Sequence, residues 1–245
     1  MPGSAGPNAS GPGAAGPVLA PVPPLDVVVV RVEALRRRIA DAGRDPAGVR
    51  IVAVTKTFEV AAVDRAVAAG LHDIGENYAA ELVAKASEVR GRPGEPPEVR
   101  WHYLGAVQRR RVRLLAPVVS CWQTVCRVSE GEEIAVRAPG ATVLVEVDTT
   151  GIPGRNGVPP AAVAPLVASL RSMGLDVRGL MVVGPPGEPE DSRPAFRTTA
   201  RLAGELGLSE VSMGMTDDLE VAVAEGSTMV RVGRALFGDR APRRG

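Results

Sequence analysis

The feature of this sequence that most constrains its fold is a regular alternation of short apolar runs with segments of helical apolar spacing. Eight such pairs follow one another between residues 25 and 240. A strand that returns after a crossover helix runs parallel to the strand before it, so the alternation predicts a parallel sheet covered by helices. The count of eight, in runs apolar enough for burial on both faces, predicts an α/β fold made of a single (β/α)8 TIM barrel. An open doubly wound sheet is the alternative, and it is disfavoured because no G-x-G-x-x-G follows any strand.

The apolar runs also give approximate bounds for each element. The predicted strands lie at 51–55, 71–75, 100–105, 118–122, 142–148, 176–183, 210–215 and 227–233. Helices are predicted at 59–69, 78–89 and 107–116, after Ser129, at 160–174 and 194–206, and from about Thr216. An extra N-terminal helix is predicted at 27–42, where it would cover the bottom or side of the barrel with Val29, Val32, Leu35 and Ile39.

The two ends of the chain differ in composition from the barrel. Residues 1–24 are mostly Gly, Pro, Ala and Ser, with too few large apolar side chains to offset the entropy of ordering them. They also lack the basic start and apolar stretch of a signal peptide. We therefore predict a disordered tail at 1–24, the barrel at 25–240 and a short basic tail at 241–245.

Charge and cysteine content exclude several classes of protein. The 29 Lys and Arg residues nearly balance the 28 Asp and Glu residues, which argues against nucleic acid or an anionic membrane surface as a partner. Two histidines and an isolated pair of cysteines, Cys121 and Cys126, suggest neither a disulfide scaffold nor a zinc site. No apolar run approaches the roughly 20 residues that span a bilayer. We expect a cytoplasmic protein with reduced thiols and, since no long apolar stripe demands a partner, a monomer.

In a barrel of this kind the functional site lies at the carboxyl ends of the strands. The residues at those positions contain no carboxylate pair spaced for glycoside hydrolysis and no His/Asp/Glu group spaced for a metal. They do contain a lysine and an arginine. In chain order they are Lys56, Glu76, Asn77, His102, Ser120, Asp148, Met181, Ser212, Met213, Arg231 and Gly233.

The loops after the last two predicted strands suit a phosphate group. S-M-G-M-T (212–216) leads directly into a helix, and R-V-G-R (231–234) ends at the start of a helical turn. Barrels commonly bind phosphate at these two loops through backbone N–H groups, and glycine lets the backbone approach the anion. The alternative is that Gly214 and Gly233 are ordinary turn residues.

A lysine across the barrel mouth from a phosphate-binding loop suggests Schiff-base chemistry. Lys56 ends the first predicted strand, where it is either a solvated strand end or a desolvated amine able to form a Schiff base with a carbonyl. Two classes of barrel protein use such a lysine: aldolases that act on phosphorylated sugars, and proteins that hold pyridoxal phosphate. A lysine on the first strand favours the second class, since aldolase lysines generally lie further into the barrel order.

Several stretches carry a resemblance to one family. They are I-V-A-V-T-K-T, G-E-N-Y, W-H-Y-L-G-A-V-Q, G-L-M-V-V-G-P and the run from Ser212 to Gly238. In order and spacing over residues 27–238, the chain resembles the YggS/PROSC family of pyridoxal phosphate (PLP) homeostasis proteins. The resemblance implies a barrel of the alanine racemase type, a fold-type III PLP protein without the C-terminal β-domain, which carries pyridoxal 5′-phosphate on a lysine.

The same resemblance implies roles for the residues that bind the cofactor. Lys56 matches the Schiff-base lysine, Asn77 matches an asparagine beside the cofactor ring, and Met181 would line the same mouth. Arg231 matches an arginine that faces the pyridine nitrogen. Because arginine can only donate, that nitrogen would stay unprotonated and the cofactor would be a poor electron sink. The phosphate cradle would consist of Ser212, the backbone N–H groups of Met213 and Gly233, and that of Arg234.

The chain departs from the family pattern at two places. Cys126 stands where members often have an aspartate, and the loop after the fifth strand reads Asp148…Arg155-Asn156-Gly157 in place of N…K-x-G. The family pattern puts these positions at the rim of the site, so the departures bear on regulation more than on cofactor binding.

The resemblance implies a carrier rather than an enzyme. Such a protein would buffer PLP or deliver it to PLP-dependent apo-enzymes, and so influence amino-acid and keto-acid metabolism. A PLP-dependent amino-acid racemase is the alternative, and it needs a second base opposite the lysine. The candidates, Tyr78, Tyr103 and His102, are more simply interpreted as packing or hydrogen-bonded structural residues. A Schiff-base aldolase is a third possibility.

Overall fold

Eight parallel strands close into one barrel in the computed structural model, which describes residues 20–94 and 98–239. Each strand pairs with its neighbours in sequence, and β8 pairs with β1. This confirms the predicted single barrel and excludes the open sheet. The strands are β1 (Arg50–Val54), β2 (Asp73–Glu76), β3 (Arg100–Tyr103), β4 (Val119–Val125), β5 (Thr142–Val147), β6 (Asp176–Val182), β7 (Glu210–Ser212) and β8 (Met229–Val232).

Helices surround the barrel at the predicted positions. They are α1 (Leu25–Asp41), α2 (Ala61–Ala68), α3 (Ala79–Arg90), α4 (Arg109–Leu115), α5 (Val128–Arg137), α6 (Pro160–Ser172), α7 (Arg193–Glu205), α8 (Leu219–Ala224) and α9 (Arg234–Phe237). The largest difference is at α8, which begins at Leu219 and not near Thr216. A tight turn precedes it, in which the Asp218 carboxylate accepts the Met215 N–H at 2.6 Å.

The fourth strand is longer than predicted, and this moves one candidate residue. β4 continues to Val125, so Ser120 lies at the amino end of the barrel, where its hydroxyl accepts the Trp101 N–H at 3.2 Å. The prediction that Ser120 lies at the functional end is therefore wrong. The polar pair Gln123 and Thr124 suggested the end of an apolar run, but both side chains are buried and hydrogen-bonded within the barrel.

The N-terminal helix α1 packs on the side of the barrel, against α8 and α9. Its buried face is Val28, Val32, Leu35 and Ile39, so Val28 replaces the predicted Val29, which is exposed. Before α1, Ala20 is buried and its N–H bonds to the Thr57 carbonyl at 3.2 Å. This contact extends the ordered chain into the predicted tail. Residues 1–19 and the basic tail at 241–245 lie outside the described residues. Nowhere in the described chain is there a helix with the length and apolarity to cross a membrane.

The interior of the barrel is partly polar. A small apolar cluster of Cys121, Leu144 and Met181 is separate from the large core that lies between the sheet and the helices. Beside it, the hydroxyl of Ser212 on β7 bonds to the side chain of Gln123 on β4 at 2.7 Å. These strands are not neighbours, so the bond crosses the interior. Buried polar groups therefore support the floor of the barrel mouth.

Candidate functional site

A cavity of about 500 Å³ opens at the carboxyl ends of the strands. Its lining comes from β1, β5, β6 and β8 and from residues that follow β1, β2, β3, β6, β7 and β8. Most of the residues predicted from the sequence meet there, although their strands lie far apart in the chain. The predicted residues that line the cavity are Lys56, Asn77, Met181, Arg231, Gly233 and Arg234.

Lys56 is held at the cavity by its two neighbours in the chain. The Thr55 carbonyl accepts a hydrogen bond from Lys85 Nζ at 2.7 Å, and the Thr57 N–H donates to Glu81 Oε1 at 2.6 Å. Thr57 has φ of 67°, a left-handed conformation that is uncommon for a threonine. Both contacts come from α3, so this helix fixes the turn that presents the half-buried Lys56.

The contacts from α3 belong to a buried charge cluster outside the barrel wall. Glu76 Oε1 accepts from Lys85 Nζ at 2.7 Å and from the Thr55 hydroxyl at 2.6 Å, and Lys85 also pairs with Glu81 at 2.8 Å. Glu76 is fully buried, and this burial raises the pKa of its carboxyl to about 7. Glu76 thus faces α3 and is not among the residues that line the cavity. The sequence suggested its position at a strand end but not this partner.

Arg231 forms part of the floor of the cavity. Its Nη1 donates to the Ser212 hydroxyl at 2.8 Å and its Nη2 to the Val182 carbonyl at 2.8 Å. Burial lowers the pKa of the guanidinium to about 10, against the opposing effect of nearby Glu146 and Asp218. These bonds use two of the five N–H donors of an arginine. Since Arg231 also lines the cavity, other donors are available to an acceptor bound there.

Ser212 and Met213 lie beneath the cavity. Both are fully buried, and the Ser212 hydroxyl is bonded to Gln123 and Arg231. The loop after β7 reaches the cavity further on, with Met215, Thr216 and Asp217. The sequence placed Met215 and Thr216 within the predicted phosphate-binding loop 212–216, but neither they nor Asp217 were among the predicted site residues. The sequence did contain a signal for Thr216, because a hydroxyl side chain in the short loop after β7 is a potential donor to a phosphate.

The two loops predicted to bind phosphate, which follow β7 and β8, contact each other at the cavity. The Ala235 N–H donates to the Thr216 hydroxyl at 3.3 Å, and the Arg234 guanidinium pairs with the Asp217 carboxylate. Gly233 and Arg234 begin the first turn of α9, where backbone N–H groups have no acceptor within the helix. The arrangement provides hydroxyl and N–H donors on one side of the cavity.

Glu146 is the main site residue that the sequence-based reasoning missed. It lies on β5, is buried and lines the cavity, and burial raises the pKa of its carboxyl. The Asn156 amide donates to it, and the Cys126 thiol contacts Asn156 Oδ1 at 3.1 Å. Successive side chains of a strand lie on opposite faces, so residues two positions apart share a face. The prediction of Asp148 at the mouth therefore also indicated Glu146, two residues earlier.

The positions that depart from the family pattern lie behind Glu146 and are not among the described residues that line the cavity. Arg155 donates to the Gly184 carbonyl at 3.0 Å, which ties the loop after β5 to the end of β6. Asp148 accepts from the Thr150 N–H at 2.9 Å and shapes the same loop. Its pKa is lowered, first by the hydrogen bond from the Thr150 side chain.

The proposed alternative bases lie elsewhere. His102 is buried inside the barrel, and its Nδ1 contacts the Gln123 amide at 2.7 Å. Tyr103 packs edge-on against Trp122 with ring centroids 5.8 Å apart, and Tyr78 is 40% exposed. None of these three is among the described residues that line the cavity.

The barrel and its lysine-bearing mouth define the class of protein. The family model described as alanine racemase, N-terminal domain, matches residues 30–241, and the chain belongs to this family. Within it, the chain belongs to the pyridoxal phosphate homeostasis proteins, which confirms the resemblance noted in the sequence. The relative from Pseudomonas aeruginosa is 36% identical over 221 residues, which cover 86% of this chain and 94% of the relative. The relative from Bos taurus is 33% identical over 230 residues, which cover 85% of this chain and 84% of the relative.

Solved structures agree with this assignment. PipY of Synechococcus elongatus without PLP superposes with a TM-score of 0.77 at 30% identity, covering 86% of this chain and all of PipY. PipY with PLP bound superposes with a TM-score of 0.73 at 29% identity and the same coverage.

Proposed function

We propose that this protein binds pyridoxal 5′-phosphate in the cavity, as a Schiff base on Lys56, and serves in PLP homeostasis. One observation carries the proposal: an amine, an arginine floor and two donor-rich loops surround a single cavity of about 500 Å³. A volume of this size lies within the ~300–1,000 Å³ typical of small-molecule sites. The PLP-bound structure of the similar protein PipY supports the choice of ligand.

The residues present fit each part of this cofactor. Gly233 and Arg234 offer first-turn N–H groups, and Thr216 a hydroxyl, to the phosphate. The buried guanidinium of Arg231 offers donors to the ring nitrogen, and Asn77 lines the space beside the ring. Ser212 and Met213 do not offer a donor to the phosphate in this arrangement, because the Ser212 hydroxyl donates to Gln123 at 2.7 Å and the Met213 N–H donates to the Met229 carbonyl at 3.0 Å. Ser212 acts instead through Arg231, whose guanidinium donates to the Ser212 hydroxyl oxygen at 2.8 Å. When bound, the cofactor supplies an electrophilic aldehyde.

The chemistry asked of the protein is a reversible condensation. The Lys56 amine adds to the aldehyde carbon, a C=N bond forms, and the carbonyl oxygen leaves as water. Water reverses the reaction, so the protein can hold the aldehyde and release it. Arg231 stays protonated and only donates, which leaves the ring nitrogen unprotonated and limits its use as an electron sink. These properties favour storage over turnover.

The proposed biological role follows from holding and releasing a reactive aldehyde. A monomer in the cytoplasm that keeps PLP out of side reactions could deliver it to PLP-dependent apo-enzymes and so influence amino-acid and keto-acid metabolism. The naming of the relatives as PLP homeostasis proteins supports this role.

The sequence makes the central test unusually clear, because it contains only two lysines, Lys56 and Lys85. We expect the purified protein with added PLP to show an imine absorbance band, and borohydride reduction to attach the cofactor to the peptide that contains Lys56. The peptide with the buried Lys85 is the internal control and should remain unmodified. Persistence of the band in Lys56→Ala, or modification of Lys85 instead, would contradict the assignment.

A weak racemase is a second candidate, and Glu146 is the observation that favours it. A buried carboxyl with a raised pKa in the cavity wall is a suitable acid or base. Incubation of the loaded protein with L-alanine in deuterated water tests this activity. Exchange at Cα with inversion, abolished by Glu146→Gln, would establish turnover, whereas unchanged L-alanine supports a carrier.

A further inference from the structure

A chain of four hydrogen bonds runs through the barrel interior from β2 to the cavity floor. Asp73 Oδ1 contacts His102 Nε2 at 2.8 Å, and His102 Nδ1 contacts Gln123 Nε2 at 2.7 Å. Gln123 Oε1 then accepts from the Ser212 hydroxyl at 2.7 Å, and the Ser212 oxygen accepts from Arg231 Nη1 at 2.8 Å. All five side chains are buried.

The directions of the bonds in this chain follow from groups that can act in one way only. The Arg231 guanidinium can only donate, so the Ser212 oxygen accepts from it, and the Asp73 carboxylate can only accept, so His102 Nε2 carries a proton. The Met229 sulfur accepts from the Gln123 amide, which therefore also donates to His102 Nδ1 and leaves the Gln123 carbonyl to accept from the Ser212 hydroxyl. It follows that Nδ1 carries no proton and that His102 is the neutral Nε2–H tautomer, which donates to Asp73.

Two further contacts agree with this direction. Gln123 Nε2 also lies 3.0 Å from Met229 Sδ, so both amide hydrogens have an acceptor in the assigned orientation. At the other end, Asp73 is held as an acceptor. Burial by itself would raise the pKa of Asp73, but hydrogen bonds from His102 and Arg100 outweigh it and hold that pKa well below its usual range. Asp73 pairs with Arg100 Nη2 at 2.7 Å.

We propose that Gln123 and His102 are positioning residues for Arg231. A serine hydroxyl can rotate and can either donate or accept, so by itself Ser212 does not define where the guanidinium rests. Gln123 accepts the hydrogen bond of the Ser212 hydroxyl, which fixes the rotamer of that hydroxyl and directs a lone pair of its oxygen at Arg231. His102, anchored by Asp73, in turn prevents the Gln123 amide from flipping. This inference rests on the proposed function in one respect, namely that Arg231 contacts the bound cofactor.

The first experiment needs no cofactor. Nitrogen-15 NMR of the imidazole rings reports the tautomer directly, and the chain has only two histidines, so His72→Gln assigns His102. We expect His102 to be the neutral Nε2–H tautomer at neutral pH. An Nδ1–H tautomer, or a doubly protonated ring at neutral pH, would overturn the proposal.

The second experiment measures PLP affinity from the imine band. Gln123→Met keeps the side-chain volume and removes both bonds, and we expect about tenfold weaker binding, the effect of one hydrogen bond to a charged group. Gln123→Glu can still accept from Ser212 and should recover most of the affinity, with His102 now doubly protonated in NMR. The matched control is Thr199→Val, which removes a buried hydroxyl bonded to the Ala195 carbonyl at 2.9 Å in α7 and should bind normally.

A third variant separates positioning from direct contact. Ser212→Ala adds no bulk, and if Ser212 acts through Arg231 its loss should not add to that of Gln123→Met in the double variant. Fully additive losses, or normal affinity in folded Gln123→Met, would overturn the proposal. If the wild-type protein forms no imine band at all, the proposed function has failed, and the tautomer measurement still decides the direction of the chain.

Discussion

Two of the basic residues at the cavity, Lys56 and Arg231, are held by partners from other elements of the barrel. α3 fixes the backbone on both sides of Lys56 through Lys85 and Glu81. Arg231 is fixed by Ser212 of β7 and by the carbonyl at the end of β6. Neither side chain is placed by its own strand alone, so the site is sensitive to changes at residues that do not line the cavity.

At the scale of single residues, Arg231→Ala should weaken PLP binding without abolishing the imine. The substitution removes the donors at the ring but leaves the Lys56 amine in place. We expect a loss of about tenfold to a hundredfold in affinity by titration of the imine band, the range for hydrogen bonds to a charged group. Arg178→Ala is the control, since Arg178 is exposed and pairs with Asp176 at the opposite end of the barrel. Unchanged affinity in Arg231→Ala would remove this residue from the site.

The buried Glu76 carboxyl should make the stability of the folded protein depend on pH. Burial raises the pKa of its carboxyl in the folded state to about 7, from a usual value of 4.5. The folded state therefore binds the proton more tightly, and this contribution to stability is present below pH 4.5 and is lost as the pH rises through about 7. Glu76→Gln resembles the protonated form and should flatten this part of the profile by about 3 kcal/mol.

Urea denaturation at several pH values measures this effect. Glu205→Gln is the control because Glu205 forms only an exposed pair with Arg201. A fall in stability between pH 4.5 and 7 that has the same size in the wild type, in Glu76→Gln and in Glu205→Gln would show that Glu76 is not the group responsible.

At the scale of elements, the turn from β7 into α8 sets the position of the loop that reaches the cavity. Gly214 has φ of 92°, and a Cβ there would lie 2.5 Å from the Ala222 Cβ of α8. Both the backbone conformation and the close packing require glycine. Gly214 therefore brings Thr216 and Asp217 to the mouth while keeping α8 against the barrel.

Gly214→Ala should lower the free energy of unfolding by about 2–4 kcal/mol, from strain at positive φ and from the clash. The matched control is Gly207→Ala, at φ of 61° with nothing within 4 Å of the added Cβ. It carries the backbone cost alone, about 1 kcal/mol. Equal losses in the two variants, measured by urea denaturation, would show that contact with α8 does not restrict this turn.

At the scale of the whole molecule, a ligand that bridges the strand ends should stabilise the closed barrel. The cavity joins residues of β1, β5, β6 and β8, so binding couples strands that lie far apart in the chain. We expect PLP at a hundred times its Kd to stabilise the protein by ~2.7 kcal/mol, measured as a rise in the melting temperature. Lys56→Ala should show a smaller rise, and pyridoxal, which lacks the phosphate, should stabilise the wild type less than PLP does. Equal stabilisation by both compounds would argue against a phosphate cradle.

The barrel could be predicted from the sequence because its signals are local. Alternation of apolar runs and amphipathic helices counts the eight units, and the last residue of a run marks the functional end of each strand. Lys56, Asn77, Met181 and Arg231 were found in this way. β4 shows the limit, since Gln123 and Thr124 are polar residues inside a strand and are buried only because distant residues satisfy their hydrogen bonds.

By itself, then, the sequence determined the fold class, the order of the strands and most of the residues at the barrel mouth, since each depends on periodicity over a few neighbouring positions. Only the tertiary structure decided which of those residues contact one another. Ser212 lies under the cavity, Glu146 lines it, and Glu76 pairs with Lys85 outside the wall. The physical reason is that alternation assigns a side chain to a face of the sheet, whereas its hydrogen-bond partner, and hence its charge state and role, comes from a strand or helix that only the closure of the barrel brings near.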